Sequence, residues 1–301
     1  MNVSLKLPTD LPPIITSEAI RGFCSSLPDD AIDIEVVPET GSTNLDLIER
    51  LASGNVLSGR PMLRVAIKQT AGRGRAGRTW NSDSSSLTFS VAWKFPQPVA
   101  ALAGLSLAVG VILFETLEEL LVAFAPRLPC NEAQPPPLKL KWPNDILLGD
   151  RKLAGVLIET VSDTQLLREQ SWAVIGIGIN VQSGADVVIA EETSDFSRAA
   201  LPPIDRNALL GGLIDRLRRE LPTFSAQGFL PFASRWNAVH AHVGQQVDIV
   251  DRGLVLHSGI AVGVDATGCL LLEVESDPGG HKEKLVVIAG DVSLRPVVGG
   301  A

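Results

Sequence analysis

The sequence is poor in the residues that staple small secreted or metal-held folds together. Its 301 residues include three cysteines, Cys24, Cys130 and Cys269, which lie far apart with no Cys-x-x-Cys pair. That excludes a disulfide framework and a structural zinc site. The four histidines, His240, His242, His257 and His281, have no carboxylate at ligand spacing and read as surface or structural residues. Positive charge is also short. Lys+Arg 26 against Asp+Glu 34 gives a net charge of -8, which argues against a protein devoted to coating nucleic acid or anionic membrane. The first ten residues lack a basic segment leading into an apolar stretch, so no secretory signal is read and a reducing cytoplasm is expected. Absent too are the Gly-Lys-Ser/Thr ending of a Walker phosphate loop, a G-x-S-x-G elbow, and a Ser or Cys nucleophile with an evident base.

What is present is core. Hydrophobic residues make up 45% and charged residues 20% of the chain, enough to bury a large interior. The length favours one large domain and a small one. The divisions read from the chain are an N-terminal extension (1–37), a main domain (38–240) and a C-terminal domain (241–301). The extension holds a short helix around Ser17 to Ser26 and a strand-like Ile32 to Val37. In the main domain, Gly41-Ser42-Thr43-Asn44 supplies cap chemistry ahead of a helix with apolar residues at Leu45, Ile48 and Leu51. Strands are expected at Leu63 to Ile67, Leu87 to Trp93, Leu138 to Trp142, Ile146 to Leu148, Lys152 to Glu159 and Trp172 to Asn180. Val99 to Phe114 is almost wholly apolar, shorter than a spanning helix needs and closed by Glu115, so it reads as a core helix continuing to about Phe124. Residues 182–203 read as a polar loop, Arg206 to Leu221 as an amphipathic helix, and the short strands after His242 as a small β-barrel of the SH3 size class.

The window most out of keeping with an acidic chain is Pro61 to Asn81, with Arg64, Lys68, Arg73, Arg75 and Arg78 and no carboxylate. Arginines interleaved with Gly72, Gly74 and Gly77 put backbone amides and guanidinium forks on one anion, a phosphate or a carboxylate. Trp80 comes next, able to stack on a base. The three glycines also satisfy G-x-G-x-x-G, but the residues after them are polar and lead into a strand, where a dinucleotide fold demands a helix. Lys152, behind a tight turn, is able to point a compact positive charge inward, and Asp145 to orient an amine or bind Mg²⁺. Gly176 and Gly178 inside a strand suit a close approach to its backbone, and Asn180 either reads a base edge or caps the strand end. Anion binding and alignment without a covalent nucleophile suit adenylation of a carboxylate.

Taken together, Gly41-Ser42-Thr43-Asn44, Gln69 to Trp80, Lys141-Trp142-Pro143-Asn144-Asp145, Arg151 to Glu159 and Gly176-Ile177-Gly178-Ile179-Asn180 resemble the motifs of bacterial biotin protein ligases, in that family's order. The resemblance implies an α+β fold, a mixed β-sheet with helices packed on it of the class II synthetase-like type, plus the small SH3-like domain. It implies a reaction in which biotin and MgATP give biotinyl-5′-adenylate, which the lysine of a biotin carboxyl carrier protein then attacks. By similarity, Ser42, Thr43, Asn44 and Gln69 with the Arg73 backbone hold biotin's ureido ring, Gly72, Gly74 and Arg75 also bind biotin, and Gly155 and Leu157 line its valeryl chain. Arg73, Arg75 and Arg78 engage carboxylate and phosphates. Trp80, Asn144, Gly176, Gly178, Asn180 and Arg295 line the nucleotide site. Lys152 is the charge-stabilising catalytic residue, touching both substrates, with Arg75 also catalytic and Asp145 orienting the incoming lysine. No protein metal site is implied, Mg²⁺ arriving on the nucleotide phosphates. Ala76 departs from a place often basic in the family. The DNA-binding N-terminal domain of its bifunctional members has no counterpart, so no sequence-specific DNA binding is expected, and no membrane association. Because bacterial relatives include homodimers formed by sheet extension, a weak or ligand-linked homodimer is an open expectation. The rivals are a lipoate or octanoate ligase or transferase of the same fold, a non-catalytic biotin- or nucleotide-sensing module, and a sequence-independent nucleic-acid binder.

Overall fold

The computed structural model describes residues 14–24, 28, 31–54, 59–80, 82, 86–124, 136–162, 170–181, 201, 204–251, 254–275, 282–288 and 293–296. Cys130, His281, the side chain of Arg295 and the polar loop up to residue 200 lie outside them.

A seven-stranded mixed sheet carries the main domain, in the order β1(Asp33–Thr40), β2(Met62–Gln69), β3(Ser86–Phe95), β7(Ser171–Asn180), β6(Arg151–Ser162), β5(Asp145–Leu148), β4(Leu138–Lys141). Only β1 and β2 run parallel; the other pairs are antiparallel. Of the residues read as an N-terminal extension, 33–37 therefore belong to this sheet. β1 is its edge strand, and helix α1(Ser17–Phe23), capped by Thr16, packs on α4(Arg206–Gln227).

The alternation along β3 sorts the two faces. Leu87, Phe89 and Val91 join Ile175, Ile177 and Ile179 of β7 and Ala154 and Val156 of β6 in the main core, covered by α3(Leu105–Phe124), α4 and α5(Leu230–Ala238). Thr88, Ser90 and Ala92 face the other way and are equally buried, under α2(Thr43–Ala52). Alternation predicts one buried face on this strand; both are buried. The second carries small polar residues because a site, rather than solvent, lies over it.

Helix α3 begins at Leu105, later than expected, after a 3-10 turn at Val99–Leu102 and Gly104. Gly104 takes φ +80°, where a Cβ would lie 2.7 Å from Phe229 Cβ. Val99–Val122 is long and apolar enough to cross a membrane, but most of it is buried in the core, as a core helix requires. α4 runs past Pro222 to Gln227, beyond the expected end at Leu221, and α5 comes after Gly228 (φ +65°), a helix that periodicity did not announce.

The C-terminal SH3-like domain is a five-stranded antiparallel sheet in the order β11(Lys282–Val287), β10(Leu270–Glu275), β9(Leu254–Val264), β8(Gln246–Asp251), β12(Ser293–Pro296). It joins the main domain through its 265–269 turn, where Gly268 O accepts from the buried Trp142 Nε1 at 3.2 Å. Beside that junction His240 and His242 are buried, structural rather than surface residues. Among the described residues neither ring nitrogen of His240 has a partner, and burial pushes its pKa down to about 4. His257 is exposed.

Candidate active site

The floor of the site is the α2-facing side of β3, β7 and β6. On β7, side chains at even positions point to it, and two of these are glycines. A Cβ on Gly176 would overlap Asn44 Oδ1, and one on Gly178 would overlap the indole of Trp80. The glycines thus let two different groups lie directly on the strand, Asn44 from the start of α2 and Trp80 from the end of the arginine loop.

Ser42, Thr43 and Asn44, each 3% exposed, open α2 as a polar cluster in an otherwise apolar setting. Gln69, at the end of β2, accepts from the Thr43 backbone N–H at 2.8 Å and lies 3.2 Å from Thr43 Oγ1. Thr43 Oγ1 is 2.6 Å from Ser90 Oγ, which donates to Asn44 Oδ1 at 2.6 Å. Asn44 Nδ2 donates to Glu159 Oε2 at 2.9 Å. Buried polar groups in this density are retained only if each is paired, and the result is a rigid row of short donors and acceptors.

The arginine loop continues the β1–β2 pairing, since Thr70 N–H donates to Thr40 O and Ala71 N–H to Gly41 O, each at 2.9 Å. It then folds on itself. Trp80 N–H donates to Gly72 O at 2.9 Å, Gly74 N–H to Arg78 O at 2.7 Å, and Arg73 bridges Thr79. Gly72 has no room for a side chain against Trp80 O, and the turn passes through left-handed Ala76 (φ +54°) and Gly77 (φ +72°). Arg73 is held by Glu159, Nη1 to Oε1 at 3.1 Å, Arg75 is half-buried and Arg78 is exposed.

Lys152 owes its aim to a bulge. The β5–β6 register pairs Ile146 with Ala154 but Leu147 with Lys152, leaving Leu153 unopposed. Leu153 and Ala154 both enter the core in succession, and this slip puts Lys152 on the same side as Gly155, Leu157 and Glu159. There Lys152 Nζ pairs with Asp145 Oδ1 at 2.6 Å and lies 5.7 Å from the Trp80 ring centroid. A Cβ on Gly155 would sit 3.2 Å from Lys152 Nζ, so glycine there leaves the pair its space.

The expected residues therefore fall into two adjoining groups: Ser42, Thr43, Asn44, Gln69 and Arg73 in one, and Trp80, Gly178, Lys152, Asp145 and Gly155 in the other. Leu157 lies between them, its carbonyl 3.5 Å from Asn44 Nδ2. Three further residues expected at the nucleotide make contacts within the protein. Gly176 underlies Asn44. Asn144 Nδ2 donates to Val156 O at 2.8 Å and Asn180 Nδ2 to Lys152 O at 3.1 Å, so each amide gives one N–H to the β6 backbone and keeps its oxygen and a second N–H. Two functional candidates escaped the sequence reading, Ser90 and Glu159. The polar positions in the alternation of β3 were the available signal for Ser90, and the glutamate closing a strand that begins with Lys152 was the signal for Glu159.

This geometry has close parallels. Residues 43–180 match the model of the Biotin/lipoate A/B protein ligase family, and residues 242–295 that of the Biotin protein ligase C terminal domain. The Bifunctional ligase/repressor BirA of Salmonella typhimurium is 35% identical over 271 residues, 88% of this chain and 75% of that protein. The chain belongs to the biotin protein ligase family. The Biotin--[acetyl-CoA-carboxylase] ligase of Mycobacterium tuberculosis is 33% identical over 261 residues, 86% of this chain and 88% of that protein. Among solved structures, the Aquifex aeolicus biotin protein ligase in complex with biotin and ATP matches with a TM-score of 0.65 at 28% identity, over 88% of this chain and 99% of that one. As a biotin protein ligase, the chain is an ATP-dependent enzyme that activates biotin and transfers it to a carrier protein.

Proposed function

We propose that the two groups of residues divide that reaction between them. The polar row of Ser42, Thr43, Asn44 and Gln69 takes the ureido ring, a neutral group whose fixed donors and acceptors need fixed counterparts in a dry pocket. Gly155 and Leu157 line the valeryl chain, which leads the carboxylate to Lys152. The nucleotide lies against Trp80 and Gly178, with Arg73, Arg75 and Arg78 on carboxylate and phosphates and Arg295 reaching it from the C-terminal domain. Mg²⁺ travels with the triphosphate. In this reading the catalytic unit runs to residue 240 with the C-terminal domain from 241, and it takes in α1 and β1 as well.

In the first step a carboxylate oxygen of biotin attacks the α-phosphorus of ATP and pyrophosphate leaves. Two anions must approach, and Lys152 lowers that repulsion at the shared oxygen. In the second step the amine of the carrier lysine attacks the acyl carbon of the adenylate, AMP leaves, and the amine sheds a proton. Asp145, already beside Lys152, orients that amine. The observation that carries the reading is the Lys152–Asp145 pair at 2.6 Å, at the meeting point of the ring cradle and the Trp80 shelf. The acceptor is a biotin carboxyl carrier protein, and the setting is cytoplasmic, in keeping with the free thiols of Cys24 and Cys269. The acidic net charge of -8 disfavours non-specific nucleic-acid binding, and the expected absence of operator recognition is tested by a gel-shift assay on promoter DNA. Homodimerisation by sheet extension is tested by ultracentrifugation with and without biotin and ATP.

The deciding experiment is biotin-dependent ATP–pyrophosphate exchange, with lipoate and octanoate as parallel substrates and Lys152→Ala as control. Exchange with biotin alone, lost in the variant, is expected. Exchange with lipoate or octanoate instead would move the substrate within the fold, and biotin binding without exchange would make the chain a sensing module.

A further inference from the structure

Glu159 lies outside every role assigned above, yet its side chain touches both the ring cradle and the arginine loop. Its Oε2 accepts from Asn44 Nδ2 at 2.9 Å and its Oε1 pairs with Arg73 Nη1 at 3.1 Å. That carboxylate sets the direction of the bonds that run from Asn44 through Ser90 to Thr43. Ion-paired with Arg73, it offers acceptors only, and the Leu157 carbonyl on the same side of Asn44 is an acceptor too. The Asn44 atom facing them must be its nitrogen. Asn44 Oδ1 then faces Ser90, so the single Ser90 proton goes to Asn44. With that proton spent, the 2.6 Å contact between Ser90 and Thr43 is closed by the proton of Thr43. Gln69 Oε1, the other group within reach of Thr43 Oγ1, accepts from the Thr43 backbone N–H and so presents oxygen as well. Either way the proton of Thr43 points into the protein. Its hydroxyl is left to the ligand as an acceptor only.

We infer that Glu159, acting through Asn44 and Ser90, is a positioning residue that fixes the hydrogen-bond polarity of Thr43 and thereby makes the ring pocket specific for a ligand presenting N–H at that point. The inference rests on the biotin reading of the site. A ureido N–H satisfies such an acceptor. A ring oxygen in its place sets two lone-pair donors against each other and leaves both desolvated. Because the same carboxylate holds Arg73, ring recognition and placement of the arginine loop share one anchor.

The test is an exchange of chemistry across the Asn44–Glu159 contact. Glu159→Gln keeps the shape of the side chain but offers one acceptor where two are used. If the new side chain presents its oxygen to Asn44, its amide faces the Arg73 guanidinium; if it presents oxygen to Arg73, its amide turns Asn44 round and reverses Ser90 and Thr43. Asn44→Asp in the same chain restores the contacts with position 159, Ser90 and Arg73 and gives up only the 3.5 Å contact with the Leu157 carbonyl. The introduced amide then donates to the introduced carboxylate, which accepts from Ser90 on its other side, while the oxygen of the introduced glutamine meets Arg73. Biotin-dependent pyrophosphate exchange is measured for wild type, Glu159→Gln, Asn44→Asp and the double variant. Each is assayed with biotin and with an analogue whose ring N–H is replaced by oxygen, and folding is monitored by thermal unfolding. For Glu159→Gln the expected result is a rise of about tenfold in KM for biotin, the size of one charge-assisted hydrogen bond, with a smaller preference for biotin over the analogue. The double variant is expected to recover both. A folded Glu159→Gln that keeps the wild-type KM and preference overturns the inference. So does a folded double variant whose defects are the product of the singles. If the double variant does not fold, the ratio of biotin to analogue in Glu159→Gln decides alone. A wild-type chain that exchanges with no biotin at all fails the functional reading instead, so the two failures are told apart.

Discussion

Two glycines two residues apart on β7 give the sharpest separation of the two substrate sites. In Gly176→Ala the new methyl would lie 2.9 Å from Asn44 Cγ and 3.0 Å from Asn44 Nδ2, against ordinary contacts of 3.4–4 Å. β7 is paired on both sides along its length and cannot retreat, so Asn44 must move. It then gives up its bonds to Ser90 at 2.6 Å and to Glu159 at 2.9 Å. Two buried bonds, one of them to a carboxylate, amount to roughly 2–3 kcal/mol, or about 30- to 150-fold in affinity for a ring that depends on that row. In Gly178→Ala the methyl would be 2.9 Å from Trp80 Nε1 and closer still to the indole carbons, so the ring must tilt off the strand. A lost base-stacking surface is worth about 1–3 kcal/mol, which falls on ATP. Isothermal titration of each variant with biotin and with ATP, alongside thermal unfolding, reads both. Gly176→Ala is expected to weaken biotin and spare ATP, and Gly178→Ala the reverse. If both variants, folded, weaken the same ligand, the assignment of two groups on two glycines is wrong.

Lys152→Ala should lower the exchange rate by about 10²–10³-fold while biotin still binds, the range for removing one group that stabilises transition-state charge; single-turnover exchange separates the rate from the affinity. Asp145→Asn, which keeps the shape of the Lys152 partner, should slow transfer from preformed adenylate to the carrier lysine more than it slows exchange, checked by chasing isolated adenylate complex with carrier. Trp142→Phe leaves the buried Gly268 carbonyl without its 3.2 Å donor and should cost about 1–2 kcal/mol, seen as a lower Tm with the exchange rate per folded enzyme retained. His240 titrates from 6.5 in the unfolded chain to about 4 in the fold, so between those values the unfolded chain takes up a proton that the native state refuses. Its contribution is therefore intact above pH 6.5 and falls away as pH drops towards 4, by about 3 kcal/mol in all; denaturant titrations at several pH values in His240→Leu should lose that part of the slope.

Which parts of this site were legible beforehand depends on how local their causes are. The start of α2 was, because a run of Ser, Thr and Asn before apolar residues at helical spacing carries its own cap chemistry. The arginine loop was legible as a loop, because glycines between arginines favour turns with left-handed backbone such as that at Gly77. β3 was half legible. Its alternation announced a strand, but period 2 alone does not say whether the polar face meets water or a pocket, and Ser90 went unnoticed although it is fully buried. Glu159 was invisible for a related reason, since its partners Asn44 and Arg73 are more than eighty residues away in sequence. The amides of Asn144 and Asn180 look like ligand groups in the sequence, and that each also gives one N–H to a carbonyl, of Val156 and of Lys152, is decided only when the strands pair. Lys152 is the most instructive case. By strict alternation from Ala154 and Val156, whose side chains face the helices, Lys152 belongs in the core. A lysine there would have to shed its charge or stay unpaired. The unopposed Leu153 resolves the conflict by filling the core position itself and turning Lys152 to Asp145. The motif around Lys152 is therefore also a packing instruction, and the register slip it encodes places the charge.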